Sequence, residues 1–339
     1  MNVKSKIKKA IDATEIAFSY KFRNNKIFEK AKVQIDEVFG LLNSWKLGLN
    51  SQDELKAFSE VRERERYLQT YQAALDSDED KKLKEYFSKL ILPFTSGSKF
   101  CDYCYRKPRG YPGDFVMMDM IWKGRLEPAK NRYLGVNDLG KLINAYTLDL
   151  DICEANILRT KAFTDFLCGK KFVDLASIGS GSVIELTELA KVRSLANANI
   201  SLFDLDEGAL DISVKKIEPF FNSVNRVQGN IIKTVLKAKE DSFDVIYSSG
   251  LFDYFSVEAC NRILKKLWFC LRSGGSIMIS NVHAENPSRF WMEYVGDWYL
   301  INKTKNDMLN MTKGLENIKM GHYDIDGYNC YQYIIFTKC

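Results

Sequence analysis

Two hydrophobic periods divide this chain. Up to about residue 95 the apolar positions fall three and four apart, as in Ile35, Val38, Phe39 and Leu42 and again in Leu55 and Phe58, with charges between them. That spacing predicts amphipathic helices. Ser51, with Glu54 three residues on, has the form of a capping box at a helix start. Arg62-Glu63-Arg64-Glu65-Arg66 reads as a solvated helix face in which Glu60 and Arg64 pair one turn apart. Asp76 to Lys81 reads as a loop, and residues 139 to 168 as one or two further helices.

From residue 171 short apolar runs alternate with helical segments. The run from Phe172 to Ile178 is rich in strand formers and ends in Gly179-Ser180-Gly181, after which Val183, Ile184, Leu186 and Leu189 keep helical spacing. Further strands are expected from Ile200 to Phe203, Asn225 to Gln228, Phe243 to Tyr247 and Ser276 to Ser280. Helices are expected from Gly208 and from Val257 to Leu271, the second stopped by Ser273-Gly274-Gly275. The tail from Ile318 to Thr337, with Gly327 near its turn, reads as a hairpin. Strands alternating with helices give a parallel sheet covered on both faces. The chain is therefore expected to be α/β. A mostly helical N-terminal substrate-lid domain (1–135) precedes a Rossmann-like sheet domain with leading helices and a C-terminal antiparallel hairpin (136–339).

Residues 96–125 differ in texture, and Arg109-Gly110-Tyr111-Pro112-Gly113-Asp114 fits neither a helix nor a central strand. It reads as an ordered loop presenting Arg109, Tyr111 and Asp114, before a helix faced by Met117, Met118, Ile121 and Trp122. The plainer alternative is a surface turn whose charges cap helices.

Composition narrows the function classes. Among 339 residues, 46% are hydrophobic and 27% charged, as in ordinary globular proteins. The net charge of +5 comes from interspersed acids and bases, which argues against a nucleic-acid partner. The basic N-terminus lacks the apolar core of a signal peptide, and no apolar run nears the ~18 residues of a membrane span. Eight scattered cysteines fit reduced thiols in a cytoplasm. Cys101 and Cys104 form a CxxC without a second one, and His283 and His322 are the only histidines, so no metal site is expected. Homo-oligomerisation is left open.

Ligands of such sheets sit outside the carboxyl ends of the strands. Those ends carry Gly179-Ser180-Gly181, Asp204, Asn230 and Ser248-Ser249-Gly250, followed by Asp253-Tyr254. The glycines admit a close ligand, Asp204 can accept both hydroxyls of a ribose, and Asn230 can hold an adenine edge. A dinucleotide loop needs G-x-G-x-x-G, but Ile184 stands at the last position, and no phosphate loop is present.

What remains resembles the class I S-adenosylmethionine methyltransferases over roughly residues 170–339. Leu202-Phe203-Asp204-Leu205-Asp206-Glu207-Gly208-Ala209-Leu210 is similar to their second-strand motif, and Leu271-Arg272-Ser273-Gly274-Gly275-Ser276-Ile277 to their turn into the fifth strand. Ser177, Val183 and Asn230 depart from the usual acid, glycine and aspartate. The resemblance implies S-adenosylmethionine as cofactor, held by Gly179, Ser180, Gly181, Asp204, Leu205, Asn230, Ile231, Ser248 and Gly250.

Three further stretches narrow it: Arg109 to Asp114 with Met117-Met118, Ser248 to Tyr254, and Asn286-Pro287-Ser288-Arg289 through Asp297-Trp298-Tyr299-Leu300. These resemble a bacterial group that includes enzymes proposed to make 3-hydroxy fatty acid methyl ester signals. The group implies a small-molecule acceptor bearing a carboxylate, of fatty-acid or amino-acid type. Arg109 could grip that carboxylate, Tyr111 and Tyr254 could orient the acceptor, and His283 is the one candidate histidine base. Asp114, Arg289 and Trp291 are expected to bind substrate. Alternatives are an RNA or protein methyltransferase and a non-catalytic scaffold of the same fold.

Overall fold

The computed structural model describes residues 26–46, 48, 51–235 and 239–339; the expectations for residues 1–25 and for the Ser51 side chain lie outside it. The chain divides into two units that interleave in sequence. The helical unit takes the described residues up to Gly113, then Met120–Cys153 and Pro287–Tyr299; the sheet unit takes Asp114–Asp119, Glu154–Asn286 and Leu300–Cys339.

The helical unit contains α1 (Lys26–Trp45), α2 (Ser51–Gln72), α3 (Ser77–Thr95) and α4 (Lys99–Arg106). It continues through the second half of α5 (Phe115–Leu126), α6 (Pro128–Asn131), α7 (Asp138–Leu148) and the start of α8 (Asp151–Cys168). Apolar positions at helical spacing meet in an aromatic cluster. The Tyr146 ring stands edge-on to Phe58 at 5.3 Å, Trp45 at 5.8 Å and Trp291 at 5.0 Å.

Two expectations are corrected here. Asp76 to Lys81 is not a loop: Asp76 caps α3 by accepting from the Asp78 and Glu79 N–H groups at 2.9 Å each, and Glu79 returns the bond to the Asp76 N–H. The acids of that first turn suit the positive end of the helix dipole. Nor is the Arg62 to Arg66 run a solvated face. Glu65 is 3% exposed and accepts the Tyr146 hydroxyl, Arg62 donates to the Asp149 carbonyl, and Arg64 pairs with Glu37 at 2.8 Å.

The sheet unit starts from the rest of α8 and runs through β1 (Asp174–Ile178), α9 (Ile184–Val192), β2 (Asn199–Asp204), α10 (Glu207–Ile217) and β3 (Ser223–Gln228). Then come α11 (Ile231–Val235), β4 (Phe243–Ser248), α12 (Val257–Cys270) and β5 (Leu271–Val282). Beyond α13 (Arg289–Tyr294), which belongs to the helical unit, lie α14 (Lys305–Met311), β6 (Ile318–Ile325) and β7 (Tyr331–Lys338). The order across the sheet is β3-β2-β1-β4-β5-β7-β6; β1 to β5 are parallel and β7 runs antiparallel between β5 and β6. Ala176, Ile246 and Ile277 on the strands are fully buried with Leu264 of α12, which is why the middle strands read as apolar runs.

β5 begins earlier than expected. Leu271 already pairs with Phe243, and the glycine pair forms an irregularity inside the strand rather than a gap before it. A Cβ on Gly275 would fall 2.8 Å from the carbonyl oxygens of Arg272 and Asp244, so the two strands close only around glycine.

Candidate functional site

β1 and β4 are neighbours although β2 and β3 lie between them in sequence, and connections leave in opposite directions on the two sides of that pair. A crevice outside the carboxyl ends is the ligand position of such sheets. The loop after β1 turns into it with left-handed backbone at Gly179 (φ 67), Gly181 (φ 56) and Val183 (φ 46). A Cβ on Gly179 would lie 2.8 Å from the Leu251 Cβ, so the loops after β1 and β4 approach too closely for any side chain there.

The loop is tied to the end of β2. The Phe203 carbonyl accepts the Gly179 and Ser180 N–H groups at 2.8 and 3.1 Å. Asp204 accepts the Gly181 N–H on Oδ2 and the Asp206 N–H on Oδ1, both at 2.9 Å. Burial pushes the Asp204 carboxyl up, against the pull of those N–H donors. Both oxygens keep spare lone pairs. Leu205 beside it is 66% exposed, while Asp206 caps α10 through the Gly208 and Ala209 N–H groups. Gly229, before Asn230, donates to the Asp204 carbonyl at 2.9 Å, which brings the ends of β2 and β3 together. Asn230 opens α11, and Ile231 is buried in the core.

At the end of β4, the Ser248 hydroxyl donates to the Ile178 carbonyl of β1 at 2.8 Å. Ser180 is buried and its hydroxyl bonds the Ser177 carbonyl at 3.2 Å. Asp253 is buried, accepts the Val282 N–H at 2.7 Å, and is pushed up to about 6 by burial, with Arg159 opposing. Tyr254 follows in a short 3-10 turn, partly exposed. His283, just past β5, pairs its backbone with Cys330, and its Nδ1 accepts the Glu285 N–H at 3.4 Å. Asp114 caps α5 by accepting from Val116 and Met117 at 2.9 and 3.0 Å.

Four candidates lie in the helical unit. Arg109 is exposed and Tyr111 half-buried. Arg289 donates through Nε to Glu293 at 2.6 Å, and Trp291 is buried with its N–H donated to the Thr147 hydroxyl at 3.2 Å.

Sequence reasoning missed a polar cluster behind the glycine loop. Glu185 of α9 is buried and accepts the Tyr247 hydroxyl at 2.7 Å, and Ser177 bonds to that same tyrosine. Burial pushes the Glu185 carboxyl up. Its signal was an acid between Ile184 and Leu186 on the apolar face. Arg159 of α8, also buried, was missed because nothing around it forms a motif.

Residues 176–275 match a methyltransferase domain. That span takes in β1, the glycine loop, Asp204 and the end of β4. No curated protein is significantly similar in sequence. Among solved structures, a possible exported protein from Bordetella parapertussis is similar over 91% of this chain and 96% of its own, with a TM-score of 0.53 and 13% identity. This is a likeness of fold. Geranyl diphosphate C-methyltransferase from Streptomyces coelicolor A3(2) covers 55% of this chain and 80% of its own, with a TM-score of 0.42 and 9% identity. The 1,6-didemethyltoxoflavin-N1-methyltransferase of Burkholderia thailandensis covers 53% and 76%, with a TM-score of 0.41 and 12% identity. These two are too distant to bear on the argument. The methyltransferase domain holds the sequence-predicted cofactor residues Gly179 to Gly181, Asp204, Leu205, Asn230, Ile231, Ser248 and Gly250. Among the described residues, no helix is long and apolar enough to cross a membrane.

Proposed function

We propose that this chain is an S-adenosylmethionine-dependent methyltransferase acting on a small carboxylate-bearing acceptor of fatty-acid or amino-acid type. The observation that carries the reading is the joined β1–β2 end, where Gly181 donates to Asp204 under a loop that only glycine can form at Gly179. The residues fit the nucleoside. Asp204 would accept the ribose hydroxyls with its spare lone pairs, Asn230 would meet the adenine edge, and Leu205 offers an exposed apolar side chain beside them. Gly179 to Gly181 and Ser248 to Gly250 would flank the methionine part. Ile184, where a dinucleotide loop needs glycine, argues against a nicotinamide cofactor.

When bound, S-adenosylmethionine supplies a methyl group already activated by its sulfonium. The protein's part is then in-line positioning and exclusion of water. Nδ1 of His283 is engaged by the Glu285 N–H, and an acceptor without a proton to lose asks for no base there. A carboxylate acceptor suits this arrangement because it has no proton to remove. Calorimetric titration with S-adenosylmethionine, S-adenosylhomocysteine and NAD tests the reading. Binding of both sulfur nucleosides without NAD is expected, and S-adenosylhomocysteine release is then screened with 3-hydroxy fatty acids and amino acids. A folded protein that binds neither sulfur nucleoside overturns it.

A further inference from the structure

Arg159 is 7% exposed, yet its guanidinium is poorly satisfied. Among the described residues Nε has no hydrogen-bond partner, and Nη2 reaches Asn156 Oδ1 at 3.4 Å and the Met118 sulfur at 3.6 Å. The group is held by packing instead: its carbon lies 4.3 Å from the centre of the Tyr331 ring, and Asn156 steadies that ring by donating to the Tyr331 hydroxyl at 3.3 Å. Burial opposes its charge, but Tyr331, Asp253 and Glu185 on balance favour it, although among the described residues neither carboxyl forms an ion pair with it. Removing a guanidinium from water without a paired anion is costly, so such groups are kept where an anion arrives.

The position is specific. Gly250 follows β4, and Tyr331 opens β7 opposite Val282 at the end of β5, so Arg159 sits at the ligand end of the sheet. A Cβ on Gly250 would lie 3.3 Å from Arg159 Nη1 and 3.8 Å from Asp253 Oδ2. Gly250 therefore lets the loop expected to flank the ligand approach the guanidinium edge, which any side chain there would crowd. The planar fork of N–H donors matches a carboxylate through two parallel bonds.

We infer that Arg159, seated on Tyr331 beside Gly250, is the carboxylate anchor of the sheet unit. The carboxylate belongs either to the amino-acid end of the nucleoside or to the acceptor, and the inference rests on the methyltransferase reading for both sources. It also identifies a grip for an anionic ligand inside the sheet unit that owes nothing to Arg109.

Arg159→Met, of similar length but uncharged, and Arg159→Lys test it. Arg159→Met also loses the attraction to Asp253 and Glu185, so its melting temperature without ligand is read beside the binding, and a selective loss of one probe marks an anchor where a structural arginine would lose all of them alike. By calorimetry, a fall of about 30-fold or more in S-adenosylhomocysteine affinity, with 5′-methylthioadenosine unchanged, assigns the nucleoside's carboxylate. Unchanged nucleosides with loss of decanoate binding to the S-adenosylhomocysteine-loaded protein assign the acceptor's. Arg159→Lys should recover only part of either loss. Wild-type binding of all three probes by Arg159→Met, or a lower melting temperature with uniform loss of all three, overturns the inference. Should wild type bind neither nucleoside, the methyltransferase reading fails and the anchor falls with it; wild-type binding of the nucleosides with Arg159→Met unaffected on every probe overturns the anchor alone.

Discussion

Val183 is a β-branched residue in left-handed backbone, a conformation that costs a non-glycine residue roughly 1–2 kcal/mol. The sequence departs from glycine at this position of the loop, but the backbone keeps the conformation that glycine would take. The side chain offsets part of the strain because it is 1% exposed and packs into the core. In ordinary backbone, glycine is less stable than alanine by roughly 0.5–1 kcal/mol. Here the order should reverse: Val183→Gly should resist urea at least as well as Val183→Ala, and a clearly weaker glycine variant would show that the turn is not left-handed. Asp204 supports a second residue-scale prediction. Asp204→Ala should keep its circular dichroism spectrum and lose about 10-fold or more in S-adenosylhomocysteine affinity, since each bond to a charged acceptor is worth about 1.5–3 kcal/mol. Unchanged affinity would sink the ribose assignment.

At the scale of elements, α3 owes its start to Asp76, whose carboxylate accepts two backbone N–H groups and whose own N–H donates to the Glu79 carboxylate. Asp76→Ala should cost about 1 kcal/mol and lower the melting temperature by about 2–4 °C. No change would mean that the cap is not made in solution. The same stretch explains why sequence reading failed there. Asp76 to Lys81 is wholly polar, and polar clusters serve both loops and first helical turns, while the apolar period of α3 begins only at Leu83. Strands of the parallel sheet were legible for the opposite reason: β1, β4 and most of β5 are buried on both faces, so each appears as a short apolar run. β5 starts earlier than its apolar run because Leu271 pairs across a glycine irregularity. Site residues at strand ends were legible because topology assigns them a place. Arg159 and Glu185 reach the same region from helices, where burial leaves no pattern that separates a polar side chain from its neighbours.

Across the whole molecule, each unit buries an acid whose charge the fold resists. In the helical unit, burial pushes Glu65 from 4.5 up to about 8, with the Tyr146 hydrogen bond opposing. In the sheet unit, burial pushes Asp253 from 3.8 up to about 6. Both folded values lie above the unfolded ones, so over the intervening pH the folded chain holds protons that the unfolded chain releases. The stabilisation is complete below the unfolded values. It declines as pH rises through about 6 for Asp253 and about 8 for Glu65. Melting temperature should therefore fall from about pH 4 to about pH 8, more steeply below about pH 6, where both acids contribute, than above it, where Glu65 alone does. Glu65→Gln keeps a neutral acceptor for Tyr146 and should flatten the fall above about pH 6, melting above wild type at about pH 9 and level with it near pH 4. Asp253→Asn keeps an acceptor for the Val282 N–H and should make the fall below about pH 6 shallower without changing it above. The two substitutions act in separate units, which makes the two contributions separable by variant. If Glu65→Gln and wild type melt alike at about pH 9, Glu65 is carried as a charged, solvated carboxylate and its burial against Tyr146 is wrong.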